Sequence, residues 1–199
     1  SFARFMEQVL YRPGLGYYTA GARKFGAAGD FVTAPEMSAL FGRALAGQVL
    51  PVLAAAAPVV LEVGAGSGRL AADLLLELER LGSLPERYCI LDLSADLRQR
   101  QQQTIAAAAP HLLPRVEWLD SLPERFSGVV VANELLDAMP AHIVAWRDEG
   151  IVERGVSVDA SGAFTWAEQP ARGALLAAAE EIGAQCQLPP GFESEISLA

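Results

Sequence analysis

Val60-Leu61-Glu62-Val63-Gly64-Ala65-Gly66-Ser67-Gly68-Arg69-Leu70 decides how the chain folds. Val59-Val60-Leu61 reads as a short buried strand and Gly64 to Gly68 as a turn. Arg69 to Leu81 reads as a helix, with Leu70, Leu74, Leu78 and Leu81 in register. The alternation continues toward the C-terminus. Tyr88-Cys89-Ile90-Leu91 predicts a second strand, and Ser94 caps a helix through about Ala108. Val116-Glu117-Trp118 predicts a weak third strand. Val129-Val130-Val131-Ala132 predicts a strong fourth, continuous and β-branched as a strand covered on both faces should be. Strands and helices alternating over short connections predict an α/β fold: a Rossmann-like, doubly wound, mostly parallel sheet.

On the N-terminal side, Phe2, Phe5, Met6, Val9 and Leu10 have helical spacing, ended by Pro13-Gly14. Gly14 to Thr33 is rich in Gly and aromatic residues and reads as an ordered loop. Pro35-Glu36 then starts a helix with apolar Leu40, Phe41, Ala44, Leu45 and Val49 and a stop at Pro51. After Pro140 the pattern changes. Residues 143–146, 151–158 and 164–166 are strand-like, joined by Asp148-Glu149-Gly150 and Asp159-Ala160-Ser161-Gly162, which predicts an antiparallel hairpin or meander. An Ala/Leu-rich helix follows from Arg172 to about Gln185. The expected parts are an N-terminal helical and loop extension over 1–57, a Rossmann-like core over 58–140, and a hairpin-plus-helix insertion over 141–199.

Composition narrows the partners. The 199 residues are 52% hydrophobic and 20% charged, enough apolar content for a real core. Fifteen Lys and Arg against 24 Asp and Glu give a formal charge of −9, which argues against nucleic acid, since no surplus of cations replaces its counterions. A basic protein substrate stays compatible. Cys89 and Cys186 are isolated and lack metal-ligand spacing, so no metal is expected and a reducing compartment is favoured. The apolar stretch from Leu50 to Val63 is broken by Pro51 and Pro58 and closed by Glu62, so no membrane span is expected. Arg4 and Glu7 punctuate the N-terminus, which does not read as a signal peptide.

The turn itself points to a ligand. Glycines there let a backbone approach a bound molecule, and the following helix directs free N–H groups at it. The glycines fall at 64, 66 and 68, whereas a dinucleotide fingerprint wants the third at 69, where Arg69 stands. No Gly-Lys-Ser/Thr marks a phosphate loop either. Glu62 would repel a pyrophosphate and could serve a cationic amino group. Asp92, at the end of the second strand, stands where an acid accepts hydrogen bonds from ribose hydroxyls. A cationic, adenosine-bearing cofactor without phosphates fits both acids, and S-adenosylmethionine is the candidate. The structural alternative is a turn that merely packs helix on strand, with Asp92 capping the next helix. Candidate cofactor contacts are Glu62, Gly64, Ala65, Gly66, Gly68, Asp92 and Leu93.

Four stretches together resemble the class I S-adenosylmethionine-dependent methyltransferases, and within them the MidA-type family. They are Gly14-Leu15-Gly16-Tyr17-Tyr18; residues 29–36 continuing to Phe41-Gly42; Leu61 to Leu70; and Ala132 to Pro140. That family includes a mitochondrial protein arginine methyltransferase that assists assembly of respiratory complex I. The resemblance implies an arginine methyltransferase acting on a respiratory-complex subunit, in the cytoplasm of a bacterium or the mitochondrial matrix of a eukaryote. It implies Glu134 and Asp137 as carboxylates orienting a guanidinium, and Asn133, Asp120 and Ser121 beside the cofactor. It places Asp30, Thr33 and Glu36 in a segment folding over cofactor and substrate. A homodimer is compatible with it.

Residue chemistry agrees on one point: a planar cation needs carboxylates to orient it. Asn133 can equally cap a turn, and Asp137 can oppose a helix dipole. Family members are longer, and Gly191 to Ala199 resembles the segment preceding further strands, so the sheet is expected to be incomplete here. A small-molecule methyltransferase and a non-catalytic assembly factor remain alternatives. An NAD-dependent dehydrogenase is disfavoured by the glycine spacing. His111 and His142 show no partner and read as solvent-exposed; Trp118, Trp146 and Trp166 read as core or hairpin residues.

Overall fold

A computed structural model of the chain describes residues 1–18, 33–55, 57–189 and 191–198. Its elements begin with helices α1 (Phe2–Tyr11), α2 (Ala34–Met37) and α3 (Leu40–Ala55). The alternating part follows: β1 (Val59–Val63), α4 (Arg69–Arg80), β2 (Arg87–Leu91), α5 (Ala95–Ala108), β3 (Val116–Leu119) and β4 (Val129–Val131). The last part holds β5 (His142–Arg147), β6 (Gly150–Val158), β7 (Phe164–Pro170), α6 (Gly173–Gln185) and β8 (Glu193–Ile196). The chain divides into two compact units, one of Gly21–Leu135 and one of Ser1–Ala20 with Leu136–Ala199.

The Gly21–Leu135 unit is α/β. Its sheet runs β3-β2-β1-β4, every pairing parallel, with Val60 opposite Tyr88 on one side and Val129 on the other. Alternate side chains point to opposite faces. Val60, Tyr88, Ile90 and Val131 meet Val49, Leu53, Leu70, Leu74, Leu78 and Ile105 from the helices in one core. The other face gathers Val59, Leu61 and Cys89. Each fully buried leucine contributes roughly 2 kcal/mol of burial. The sheet is open, and Val130 on β4 is 57% exposed.

The helix expected from Pro35 breaks in two. Ser38 is extended (φ −163°, ψ 140°), and its hydroxyl accepts from the Leu40 N–H at 3.1 Å to begin α3. That helix then runs through Pro51 instead of stopping there. A mid-helix proline costs about 3 kcal/mol and leaves the carbonyl four residues back unbonded. Here that residue, Gly47, is exposed like Pro51 itself, while Val49 and Leu53 anchor the helix in the core from either side.

The other unit carries an antiparallel sheet, β7-β6-β5-β8. The expected meander is extended by β8, which pairs Ser194 with Val144. Val144, Leu175, Ala179 and Ile196 form its core under α6. Ser1 caps α1 through the Arg4 N–H, and the α1 rings Phe2 and Phe5 lie 5.6 Å from Trp166 and Phe164. His111 is exposed as expected and His142 is half-buried, but an acid stands beside each, which the sequence did not suggest. His142 Nδ1 is 2.6 Å from Glu153, and His111 Nε2 is 3.0 Å from Glu79. Among the described residues no helix is long and apolar enough to cross a membrane.

Candidate functional site

The parallel sheet delivers β1 into the glycine turn. Gly66 sits at φ 53°, a backbone that side chains resist, and among the described residues a Cβ there would meet no atom within 4 Å. Its glycine is therefore demanded by conformation rather than by any described neighbour. Gly68, at φ 82°, is different: a Cβ would come within 2.8 Å of Gln101 Cα, so this glycine lets α4 start directly against α5. Ala65 is buried in the turn, and a Cβ on Gly64 would meet Leu135 Cδ1 at 3.0 Å.

Asp92 closes β2 and is buried. One oxygen accepts from the Ser94 N–H at 3.0 Å and the other from Gln101 Nε2 at 2.8 Å. Burial raises its carboxyl above the usual range, although the Ser94 N–H, the Gln101 bond and the charge of Arg98 pull the other way. The Arg98 guanidinium bonds backbone carbonyls of Asp92 (2.8 Å) and Leu119 (2.5 Å) and the Asp120 carboxylate (2.8 Å). It thus ties the ends of β2 and β3 together without touching the Asp92 carboxylate. Leu93, the next residue, is 86% exposed, and Ser121 is exposed beside Asp120.

Glu62 is only 2% exposed and lies in the core, its Oε2 accepting from the Tyr88 hydroxyl at 2.6 Å. Burial pushes its carboxyl up to about 7; the Tyr88 hydrogen bond opposes that shift and the charge of Asp92 adds to it.

The remaining predicted residues fall in three groups. Glu36 on α2 accepts a hydrogen bond from the Ser67 hydroxyl, which brings α2 to the glycine turn, and Thr33 caps that helix without a side-chain bond. Asp30 lies outside the described residues. Asn133 and exposed Glu134 follow β4 at the carboxyl end of the sheet, and Glu134 is the sole non-glycine at positive φ among the described residues (50°). Such strain concentrates at functional positions. Asp137 belongs to the other unit, exposed in a 3-10 turn, Leu136–Ala138, whose Ala138 carbonyl accepts from the Tyr11 hydroxyl at 2.6 Å. Burial, and then the charge of Asp137, raise the Tyr18 phenol.

Gln101 is the functional candidate that sequence reasoning missed. Fully buried, it donates to the Gly66 carbonyl (3.2 Å) and to Asp92, and accepts from Trp118 Nε1 (3.0 Å). The signal was there: Leu97, Gln101 and Ile105 recur every four residues, on one helix face. A cavity of about 410 Å³ in the other unit, lined in part by His142, Glu153, Gln169 and Arg172, holds none of the predicted residues. No group of three or more His, Cys, Asp or Glu is placed to hold a metal among the described residues.

A parallel β3-β2-β1-β4 sheet with a glycine turn after β1 and an acid closing β2 is the frame of a class I methyltransferase. The family of S-adenosyl-L-methionine-dependent methyltransferases is matched over residues 44–199, and the chain belongs to that family. A COG1565 superfamily member from Burkholderia thailandensis, crystallised with S-adenosyl-homocysteine, is 50% identical. Its TM-score is 0.84, over 98% of this chain and 51% of that one. The mitochondrial protein arginine methyltransferase NDUFAF7 of Mus musculus is 30% identical over 79% of this chain and 42% of its own length. The Danio rerio protein of the same name is 31% identical, over 80% and 43%. The chain thus spans about half the length of these relatives.

Proposed function

We propose that the chain binds S-adenosylmethionine and forms part of a protein arginine methyltransferase acting on a respiratory-complex subunit. One observation carries the cofactor reading: among the described residues no atom stands over Gly66 at the turn, and the carboxylate anchored beside it, Asp92, takes its hydrogen bonds from neutral donors, the Ser94 N–H and the Gln101 amide. The residues fit the group. Each Asp92 oxygen retains a lone pair for a ribose hydroxyl, exposed Leu93 offers an apolar face to adenine, and Gly64, Ala65 and Gly68 shape the turn. Glu62 supplies negative charge behind the turn to an ammonium, and Asn133, Asp120 and Ser121 border the same rim. Thr33 and Glu36, with Asp30, would cover it.

When bound, S-adenosylmethionine supplies an electrophilic methyl group on a sulfonium. The protein then has to hold the nucleophile in line with it and exclude water. Glu134, held in a strained backbone at the rim, is the carboxylate assigned to orient a guanidinium, and Asp137 has a like assignment from the family resemblance alone. The arginine substrate and the respiratory-complex partner rest on the likeness to proteins named protein arginine methyltransferase. The matching compartment is the matrix in a eukaryote and the cytoplasm in a bacterium.

The test incubates the full-length protein with labelled S-adenosylmethionine and respiratory-complex subunits, then maps methyl groups by mass spectrometry. Methylarginine that disappears with Glu134→Gln supports the reading. Label confined to small molecules, or absent while the cofactor still binds, refutes the protein-substrate part.

A further inference from the structure

We infer that Gln101 is the positioning residue that aims Asp92 and thereby sets the preference of the site for a ribose-bearing ligand. The inference rests on the cofactor reading given above and assigns a role to a side chain in α5.

Three separate parts of the site converge on this one amide. Its Nε2 has two hydrogens, one directed to the Gly66 carbonyl of the turn and one to Asp92 Oδ2. Its Oε1 takes the indole N–H of Trp118 from β3, which fixes the amide so that the nitrogen faces Asp92. Gly68 closes the arrangement, because any Cβ there would push on Gln101 Cα at 2.8 Å. Gln101 is fully buried, so the amide cannot turn to solvent.

The chemistry of an amide matters here. Arg or Lys at this place would hold Asp92 equally well but would neutralise it and occupy its lone pairs. A neutral donor fixes one oxygen and leaves the carboxylate charged. With Ser94 N–H on the other oxygen, the carboxylate plane has a single orientation. A bond from a hydroxyl to such a pre-aimed, desolvated carboxylate discriminates strongly against a ligand lacking that hydroxyl, by about tenfold or more.

Calorimetric titration of the full-length protein with S-adenosylhomocysteine and its 2′-deoxy analogue tests this in wild type, Gln101→Met and Gln101→Glu. Wild type is expected to favour the ribose ligand at least about tenfold, and Gln101→Met to bring the ratio close to one. Gln101→Glu keeps the volume, and carries the test if the Met variant does not fold. Only its protonated form can donate to Asp92, so its ratio should fall as pH rises from 5 to 8, relative to wild type. A lower melting temperature with an unchanged ratio overturns the inference and leaves Gln101 as packing. A wild type that binds both ligands equally also overturns it, while the cofactor reading survives. A wild type that binds neither overturns both.

Discussion

Tyr88 on β2 donates its hydroxyl to the Glu62 carboxylate on β1 across 2.6 Å, inside the apolar core. The pair explains how a sheet interior tolerates an acid directly before a ligand-facing turn. Burial raises Glu62 to about 7, against the Tyr88 hydrogen bond and with the help of Asp92. Burial and the Glu62 carboxylate hold the Tyr88 phenol well above its ordinary value, so it stays a donor. Near neutral pH, Glu62 is therefore poised between acid and carboxylate, and a cation at the turn favours the carboxylate.

Stability should record that poise. Below its ordinary value of 4.5, Glu62 is protonated in the folded and the unfolded chain. As pH rises through about 7 the unfolded chain gives up its proton first, and stability falls by about 3 kcal/mol in full. Glu62→Gln keeps an acceptor for Tyr88 and removes this loss. Urea unfolding should give similar stabilities near pH 4.5 and a variant more stable by up to about 3 kcal/mol at pH 8. A gap that does not widen with pH contradicts the buried, raised carboxyl.

Gly66 and Gly68 should separate binding from folding. Gly66→Ala meets no neighbour among the described residues and should cost about 1 kcal/mol for its left-handed backbone, yet on the proposed reading it places a methyl group in the ligand's approach. Gly68→Ala presses on the α5 backbone and should cost about 3 kcal/mol. Denaturation and S-adenosylhomocysteine titration of both variants check this. Equal stability losses would show that the two glycines serve the same packing purpose.

Glu134 should show strain traded for function. Glu134→Gly relieves a left-handed backbone and should leave stability unchanged or raise it by about 1 kcal/mol, while methyl transfer falls by more than about 100-fold. Thermal unfolding and turnover measured side by side test the trade. A destabilised Glu134→Gly with normal turnover contradicts it.

Much of this arrangement was legible in the sequence. The strands 59–63, 87–91 and 129–131 are built on short, bounded apolar runs, Val59-Val60-Leu61, Tyr88-Cys89-Ile90-Leu91 and Val129-Val130-Val131, which pattern reading picks out well. Ser94 capping α5 through the Leu97 N–H was equally visible. What stayed hidden depends on tertiary context. Glu193–Ile196 is not predicted as a strand, because its alternating polar residues lie on a sheet edge and it gains strand geometry only from pairing with β5. Pro51 looks like a stop because its cost is local, while the anchoring of Val49 and Leu53 that offsets it is not.

The site followed the same rule. Glu62, Gly66 and Asp92 can be proposed from sequence because turn chemistry and strand ends are sequence-local. Gln101 was missed because it sits in a run of glutamines, Gln101-Gln102-Gln103, of which it alone is buried. The spacing of Leu97, Gln101 and Ile105 marks the face, but what Gln101 bonds becomes visible only once the strands and the glycine turn are in place.

The cofactor site is the centre of the account, and calorimetric titration of the full-length protein with S-adenosylmethionine, with NADH as control, tests it most directly. Saturable binding of S-adenosylmethionine is expected, weakened at least about tenfold by Gly66→Arg and by Asp92→Ala, with no binding of NADH. A folded protein that ignores S-adenosylmethionine, or binds it equally well in both variants, would contradict it.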